Sequence, residues 1–577
     1  MNSIAIPVSA LSPHYKLPTL AELNHTPQTL LLGQERVLNA FELLCNTPNQ
    51  HMFLADFASV DRVEFIKSLI TSKTKPAEQY LYNIESHDNQ CTLNWSSTET
   101  DNETFSCKNQ TYQYLSGDIK RSDLLGRFID DKQKSSADNY TPGALTKCHY
   151  LFICAESLWK REGLWELLLN ILVKREFKVH SSLPALPLNC KIILIGSSIQ
   201  FSVCWVEETR FPQLFPILGE MVNELDLVQY SETEYATWLI AVAANVNTQL
   251  HQSILAPLFI YSARLADHQL RFSLLSGLIG QMLAQAKAYS VTERITAEDF
   301  SLALKQQQFR HSASEMLSAQ NFDDKFISLP TDGFMVGQIN ALTVLDTVEY
   351  CYGEPARITA SVHYGDGEVA DIERKSELAG NIHAKGMMIL SACLYRIFGK
   401  DAPLHLNANI VFEQSYQEID GDSASLAEYC SLISAIAEKP IDQSIAVTGA
   451  LDQFGHVQAI GGVNEKIEGF YNLCARRGLT GRQGVIIPKS NTQQLNLDIK
   501  IIESVKAGKF HLYAIEHIDE AVELLMSLKA GTPDEDNDFP DDSLYGIVQD
   551  RLAKLAGYQD EETGFFAKLL EKMKFSS

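Results

Sequence analysis

Two stretches decide the reading of this chain: Glu413-Gln-Ser-Tyr-Gln-Glu-Ile-Asp-Gly-Asp-Ser-Ala-Ser425 and Gly461-Gly-Val-Asn-Glu-Lys466. Ahead of the first, Leu406–Phe412 alternates as a half-buried strand does. Asp420-Gly-Asp is turn chemistry. Ser423 then opens a helical pattern, SASLAEYCSLISAIAEKP, stopped at Pro440. On that helix Ser423, Leu426, Ala427, Cys430 and Ile433 share one face. The expected position of Ser423 is therefore a helix N-terminus, where free backbone N–H groups favour a developing oxyanion. A serine there is, on its own, more often an ordinary N-cap.

Around the second stretch, Ile445–Gly449 and His456–Ile460 read as strands and Gly461-Gly462 as a turn. Asn464 is expected to cap a helix running to about Arg477 and ending at Gly478. Its apolar face holds Val463, Ile467, Phe470, Tyr471 and Cys474, with Lys466 at the border. A lysine in that position ordinarily snorkels to water. Held in a desolvated pocket, it loses its proton more easily and becomes a base.

Together the two stretches resemble the Lon peptidase family, nearest to its B-type branch, through DGDSAS at Asp420–Ser425 and GGVNEKIEGF at Gly461–Phe470. NIHAKG from Asn381, IAVTG from Ile445 and GLTGRQGVIIP from Gly478 extend the likeness over about Asp332–Leu528. The resemblance implies an α+β proteolytic domain with Ser423 as nucleophile and Lys466 as general base. It further implies that Thr448 orients the lysine, that Asp420 is an acidic residue near the pair, and that the backbone at Asp422 and Ser423 forms an oxyanion hole. No G-x-S-x-G surrounds Ser423, so His383, His405 and His456 read as ordinary core or surface residues. With no H-E-x-x-H and no CxxC, no metal is expected.

Lon relatives usually carry an AAA+ ATPase, and the N-terminal half resembles one in degenerate form. The phosphate loop G-x-x-x-x-G-K-[ST] would fall on Asp56–Val63, after a strand at His51–Ala55. Its glycines are Asp56 and Asp61, its lysine is Arg62 and its magnesium-binding hydroxyl is Val63. A carboxylate repels the phosphate it should cradle, and valine ligates no magnesium. After the apolar run Tyr150–Ile153 stands Cys154-Ala155-Glu156 in place of an acidic pair, and after Lys191–Ile195 stands Gly196-Ser-Ser. ATP and magnesium are thus expected to be lost as cofactors. Arg264 and Arg271, in a lid-like helical block, are expected to form structural ion pairs.

The expected architecture is α/β multidomain. An N-terminal segment (1–30) precedes a degenerate AAA+ parallel α/β domain (31–225) with a polar insertion at 71–147. An all-helical lid-like domain (226–325), the Lon proteolytic domain (332–528), and an acidic linker with a C-terminal helix (529–577) follow. Lysine plus arginine number 48 against 72 acidic residues, a net charge of −24, which disfavours nucleic acid and anionic membranes as partners. Eleven scattered cysteines give no disulfide framework. No signal peptide or apolar span is evident, so a cytoplasmic protein is expected. The expected function is hydrolysis of peptides or unfolded proteins by a homo-oligomer, by resemblance a hexameric ring. Its alternatives are an ATP-dependent Lon-type protease and a non-enzymatic assembly factor or adaptor reusing the ring.

Overall fold

Unbroken apolar runs demand burial on both faces, and in the computed structural model of this chain those of the N-terminal half become strands of a parallel sheet. The structure describes residues 4–72, 80–85, 91–96, 104–128, 140–180, 185–347, 350–365, 367, 369–376, 378–399, 404–415 and 419–555. The chain divides into two units, one of residues 15–266 and 271–304, the other of 1–14, 267–270 and 305–577.

In the first unit, β1 (Met52–Ala55), β2 (Gln110–Leu115), β3 (Cys148–Cys154), β4 (Lys191–Gly196) and β5 (Ile217–Glu220) pair all-parallel in the order β5-β1-β4-β3-β2. Phe53, Phe152 and Leu194 in the inner strands are fully buried. A turn after β1 leads into α1 (Arg62–Thr71). The stretch 71–147 is not simply a polar insertion. It contains a three-stranded antiparallel sheet of Tyr80–Glu85, Cys91–Ser96 and Thr104–Lys108, and then β2, the edge strand of the main sheet. Ile119, Leu124, Leu125 and Leu145 belong to the core. Composition hid β2 because an edge strand is only half covered and accepts polar residues such as Gln110, Thr111 and Gln113.

Residues 231–310 form the helices Glu232–Asn245, Leu255–Leu265, Ser276–Tyr289 and Ala297–His311. Within the first unit, the first three of these pack around Tyr235, Trp238, Phe259 and Phe272. The region is not all-helical. Arg271–Ser273 pairs with Glu224–Asp226, and Gln249–Leu250 with Arg294–Ile295. Thr296 and Asp299 bond reciprocally, N–H to side chain, at the start of the last helix.

The second unit is built on a seven-stranded mixed sheet. Its strands are β6 (Gln338–Thr347), β7 (Tyr350–Tyr364), β8 (Val369–Asp371), β9 (Leu406–Glu413), β10 (Ile445–Val447), β11 (Gly484–Pro488) and β12 (His511–Ile515), in the order β8-β9-β7-β6-β10-β11-β12. Its helices include α2 (Ala313–Asp323), α3 (Asn381–Phe398), α4 (Ser425–Ala437), α5 (Val463–Arg477) and α6 (Ile518–Met526). Strand alternation sends Val447 and Ile486 into one core, with Leu426, Cys430 and Ile433 of α4. Ala446, Val485 and Ile487 go into another, with Val463, Ile467 and Phe470 of α5. The two helices therefore cover opposite faces of the sheet.

Leu544, Val548 and Leu552 of a helix at 544–555 are buried in the α4 core, so the acidic stretch before it leads into a docked element. The rest of the expected C-terminal helix lies outside the described residues. Ile433 is fully enclosed between sheet and helix. Ile433→Ala should destabilise the second unit by about 2–5 kcal/mol, read as a lowered denaturant midpoint of its unfolding transition.

Candidate active site

Helices on opposite faces of a sheet meet only beyond a strand end, and β10 ends at Val447. The next residue, Thr448, is fully buried. Its Oγ1 donates to the Ser423 carbonyl at 3.2 Å, and the Gly449 N–H donates to the same carbonyl at 2.9 Å. The loop that carries Ser423 is thus tied to the end of β10. From the other face, Lys466 Nζ lies 2.8 Å from Ser423 Oγ and 3.3 Å from Thr448 Oγ1.

Lys466 reaches this point because α5 sits directly on the sheet. A Cβ on Gly353 of β7 would stand 2.0 Å from the Glu465 carbonyl oxygen and 2.7 Å from the Lys466 nitrogen. A Cβ on Gly469 would stand 2.1 Å from the Gly353 carbonyl oxygen. Two glycines let the backbones touch. Lys466 is only 3% exposed. Loss of water lowers its amine from its ordinary 10.5 to about 8, with the Asp422 carboxylate opposing the fall. At about 1.4 kcal/mol per pH unit, this corresponds to roughly 3 kcal/mol against the ammonium form.

Several details differ from the sequence reading. Ser423 does not open the helix. It sits in a turn two residues before Ser425, the first residue of α4. The Ser425 N–H is used by the Asp422 carbonyl at 3.1 Å and the Leu426 N–H by the Gly449 carbonyl at 3.1 Å. Among the described residues, the N–H groups of Asp422 and Ser423 donate to no protein acceptor. Asp420 lines the same cleft as Lys466, and its hydrogen-bond partners among the described residues are backbone N–H groups. Its Oδ1 accepts from Gly421 N–H at 3.1 Å and from Ile382 N–H, in the first turn of α3, at 3.3 Å. The carboxylate that acts on Lys466 is that of Asp422. Asn464 is not the cap of α5. Gly462 holds that position at φ 65°, and buried Asn464 instead donates to the Gln494 carbonyl and accepts from Asn496 N–H.

Ser423 and Lys466 open onto a cleft of about 820 Å³, walled by Leu317 and Phe322 of α2, Leu342 and Val344 of β6, and Phe412 of β9. The three histidines divide. His456 is exposed beside Asp452, His405 is half-buried, and His383 is buried among carboxylates. The sequence reading missed Gly353, Gly469 and Glu428. Glu428 left one signal, a charge between Ala427 and Tyr429 in an apolar helix.

In the first unit, Arg62 bonds both oxygens of buried Asp56, at 2.6 Å from Nε and 3.0 Å from Nη2, and its Nη1 lies 3.4 Å from Cys154 Sγ. Asp61 caps α1 by accepting from Glu64 N–H at 3.2 Å. Val63 is 57% exposed. Glu156 is exposed and pairs with Lys160 at 2.6 Å. Arg271 pairs with Glu224 at 3.1 Å. Among the described residues there is no group of three or more side chains placed to hold a metal ion, and no helix long and apolar enough to cross a membrane.

Residues 399–528 match the Lon protease (S16) C-terminal proteolytic domain, and residues 103–221 match the LonB-like AAA domain. The first match contains both Ser423 and Lys466 and defines the class, a serine peptidase. A Lon protease homolog of Haemophilus influenzae is 36% identical over 428 residues, 71% of this chain and 70% of its own. Another, of Escherichia coli, is 37% identical over 397 residues, 66% and 67%. The Archaeal Lon protease of Archaeoglobus fulgidus is 31% identical over 194 residues, 33% and 28%. The chain belongs to the Lon protease family.

Any side chain at Gly353 or Gly469 must push α5 off the sheet. Gly353→Ala and Gly469→Ala should each slow acylation by a small serine-reactive probe at least about tenfold, since a 1 Å misplacement of reacting groups can cost more. Mass spectrometry of the labelled protein reads this directly.

Proposed function

We propose that this chain is a serine endopeptidase that hydrolyses peptides or unfolded proteins with a Ser423–Lys466 dyad and without hydrolysing ATP. One observation carries the reading: a buried amine 2.8 Å from a serine hydroxyl that opens onto a cleft. Neutral Lys466 has two N–H bonds and one lone pair. Thr448 Oγ1 accepts one N–H, which turns the lone pair toward Ser423. As Ser423 Oγ bonds to the substrate carbonyl carbon, its proton passes to Lys466 Nζ, and the carbonyl oxygen becomes an oxyanion facing the free N–H groups of Asp422 and Ser423. The protonated lysine then gives its proton to the departing amine, and water, deprotonated by the same lysine, releases the acyl group. Asp420 acts at a distance, by holding the loop to the first turn of α3.

The N-terminal unit supports the absence of a motor. A bound phosphate would compete with the carboxylate of Asp56 for Arg62, and neither Val63 nor Cys154 offers magnesium an oxygen. The residues present do not fit ATP and magnesium. Without a motor the substrates are chains that need no unfolding. By family likeness the active form is a homo-oligomeric, hexameric ring in the cytoplasm, and the charge of −24 argues against nucleic acid as a partner.

Casein and fluorogenic peptides should be cleaved equally with and without ATP and magnesium, and calorimetric titration with ATP should be flat. Ser423→Ala and Lys466→Ala should each reduce cleavage by roughly 10³-fold or more. Cleavage that requires ATP would establish the ATP-dependent protease. No cleavage, no labelling of Ser423 and one stable partner in a pull-down would establish the adaptor.

The base must be unprotonated, so activity follows the neutral fraction of Lys466. Acylation of Ser423 should rise about tenfold per pH unit below pH 8, and this rise should end near pH 8. Stopped-flow labelling across pH 6 to 10 checks this.

A further inference from the structure

The loop that carries Ser423 is held on its far side by a group of buried ionisable side chains that the peptidase chemistry does not use. His383 of α3 is 1% exposed. Its Nε2 lies 3.2 Å from Asp371 Oδ2, at the end of β8, and 3.6 Å from Glu428 Oε1, on the first turn of α4. Among the described residues none of these three atoms has a hydrogen-bond partner, so charge alone compensates them. The Gly421 carbonyl, two residues before Ser423, lies on the same side and favours the protonated ring. Glu373, 3% exposed, faces the same group and accepts from Phe412 N–H at 3.0 Å. Phe412 meets the imidazole edge to face at 5.8 Å.

We propose that His383 is a positioning residue for the Lon-type reaction: its buried ring, wedged between Asp371 and Glu428 on the first turn of α4, holds the loop Asp420–Ser423 that leads into that helix, so that the Ser423 hydroxyl stays within reach of Lys466. The inference rests on the Ser423–Lys466 reading and adds what keeps the pair together. Buried carboxylates without a cation repel each other and have lost their water. A histidinium among Asp371, Glu373 and Glu428 compensates them and, through Gly421, spans β8, α3, α4 and the loop. Removing either partner leaves a buried charge that is relieved most easily by moving the loop, which is the least regular of these elements.

The electrostatics give the device a direction. Burial lowers the imidazole, but Asp371, Glu428 and the Gly421 carbonyl together hold it above the ordinary histidine range. Burial pushes Glu428 up to about 7, with His383 opposing. Burial also raises Glu373, with Asp371 and Glu413 adding to the rise. A group raised in the folded state contributes stability that is complete below its unfolded pKa and is lost as pH rises through its folded one. The clamp is therefore closed at low pH and loosens at high pH, opposite in sign to the activation of Lys466. The two trends produce a rate that rises and then falls.

The test is labelling of Ser423 by a small serine-reactive probe in the full-length protein, over pH 6 to 10, with peptide kcat and KM measured in parallel. His383→Gln should acylate at least about tenfold more slowly, with a lower kcat and an unchanged KM. It should lose the falling limb and keep the rising one. Glu428→Gln, which removes one anion at the same shape, should shift the falling limb to lower pH. A lowered melting temperature in His383→Gln with wild-type labelling would overturn the inference, as would a falling limb unmoved in Glu428→Gln. Should His383→Gln fail to fold, Glu428→Gln alone decides. Labelling of Ser423→Ala equal to wild type would instead overturn the dyad itself.

Discussion

The site depends on one act of desolvation. An ammonium in water cannot accept a proton from serine, and Lys466 is useful only where water has been taken from it. The fold arranges this by pressing α5 onto β7 so closely that two glycine backbones touch, which leaves the lysine stem running under the sheet toward the end of β10. The cost of roughly 3 kcal/mol is modest beside the burial of Val463, Ile467 and Phe470 on the same helix, each worth about 1.5–3 kcal/mol. The apolar face of α5 therefore stabilises what the lysine destabilises.

The sheet explains why the pair needs a meeting place at all. Ser423 precedes a helix on one face and Lys466 sits on a helix on the other, so a central strand separates their supports. Thr448, just beyond the end of that strand, touches both, accepting from the amine and donating to the carbonyl of Ser423. The opposite side of the loop is held by His383, Asp371 and Glu428. A short irregular loop gains its precision from rigid elements on both sides.

The two halves of the chain treat buried charge differently. In the first unit Arg62 bonds both oxygens of the buried Asp56, so that each charge faces its opposite. In the second, among the described residues, Lys466 has no salt bridge and His383 faces both Asp371 and Glu428. Charge that is internally satisfied is structure. Charge held out of balance retains the capacity to move a proton.

Much of this was legible in the residue order. Apolar runs within His51–Ala55, Tyr150–Ile153 and Lys191–Ile195 read as inner strands because their central residues are apolar. The spacing of Val463, Ile467 and Phe470 required a helix with Lys466 at its border. The two short stretches around Ser423 and Lys466 pointed to the Lon family. What they did not determine is distance. Whether Lys466 snorkels or is buried depends on Gly353, more than a hundred residues away, and on which side of the sheet each helix falls. Asp420 and Asp422 are equivalent on paper, yet one bonds a helix terminus and the other faces the amine. The edge strand at Gln110–Leu115 and the cap of α5 were misread because exposure and left-handed backbone leave little trace in composition. Local patterns determine which residues are helical, extended or apolar. Only packing across the sheet determines which of them meet, and how dry the meeting place is.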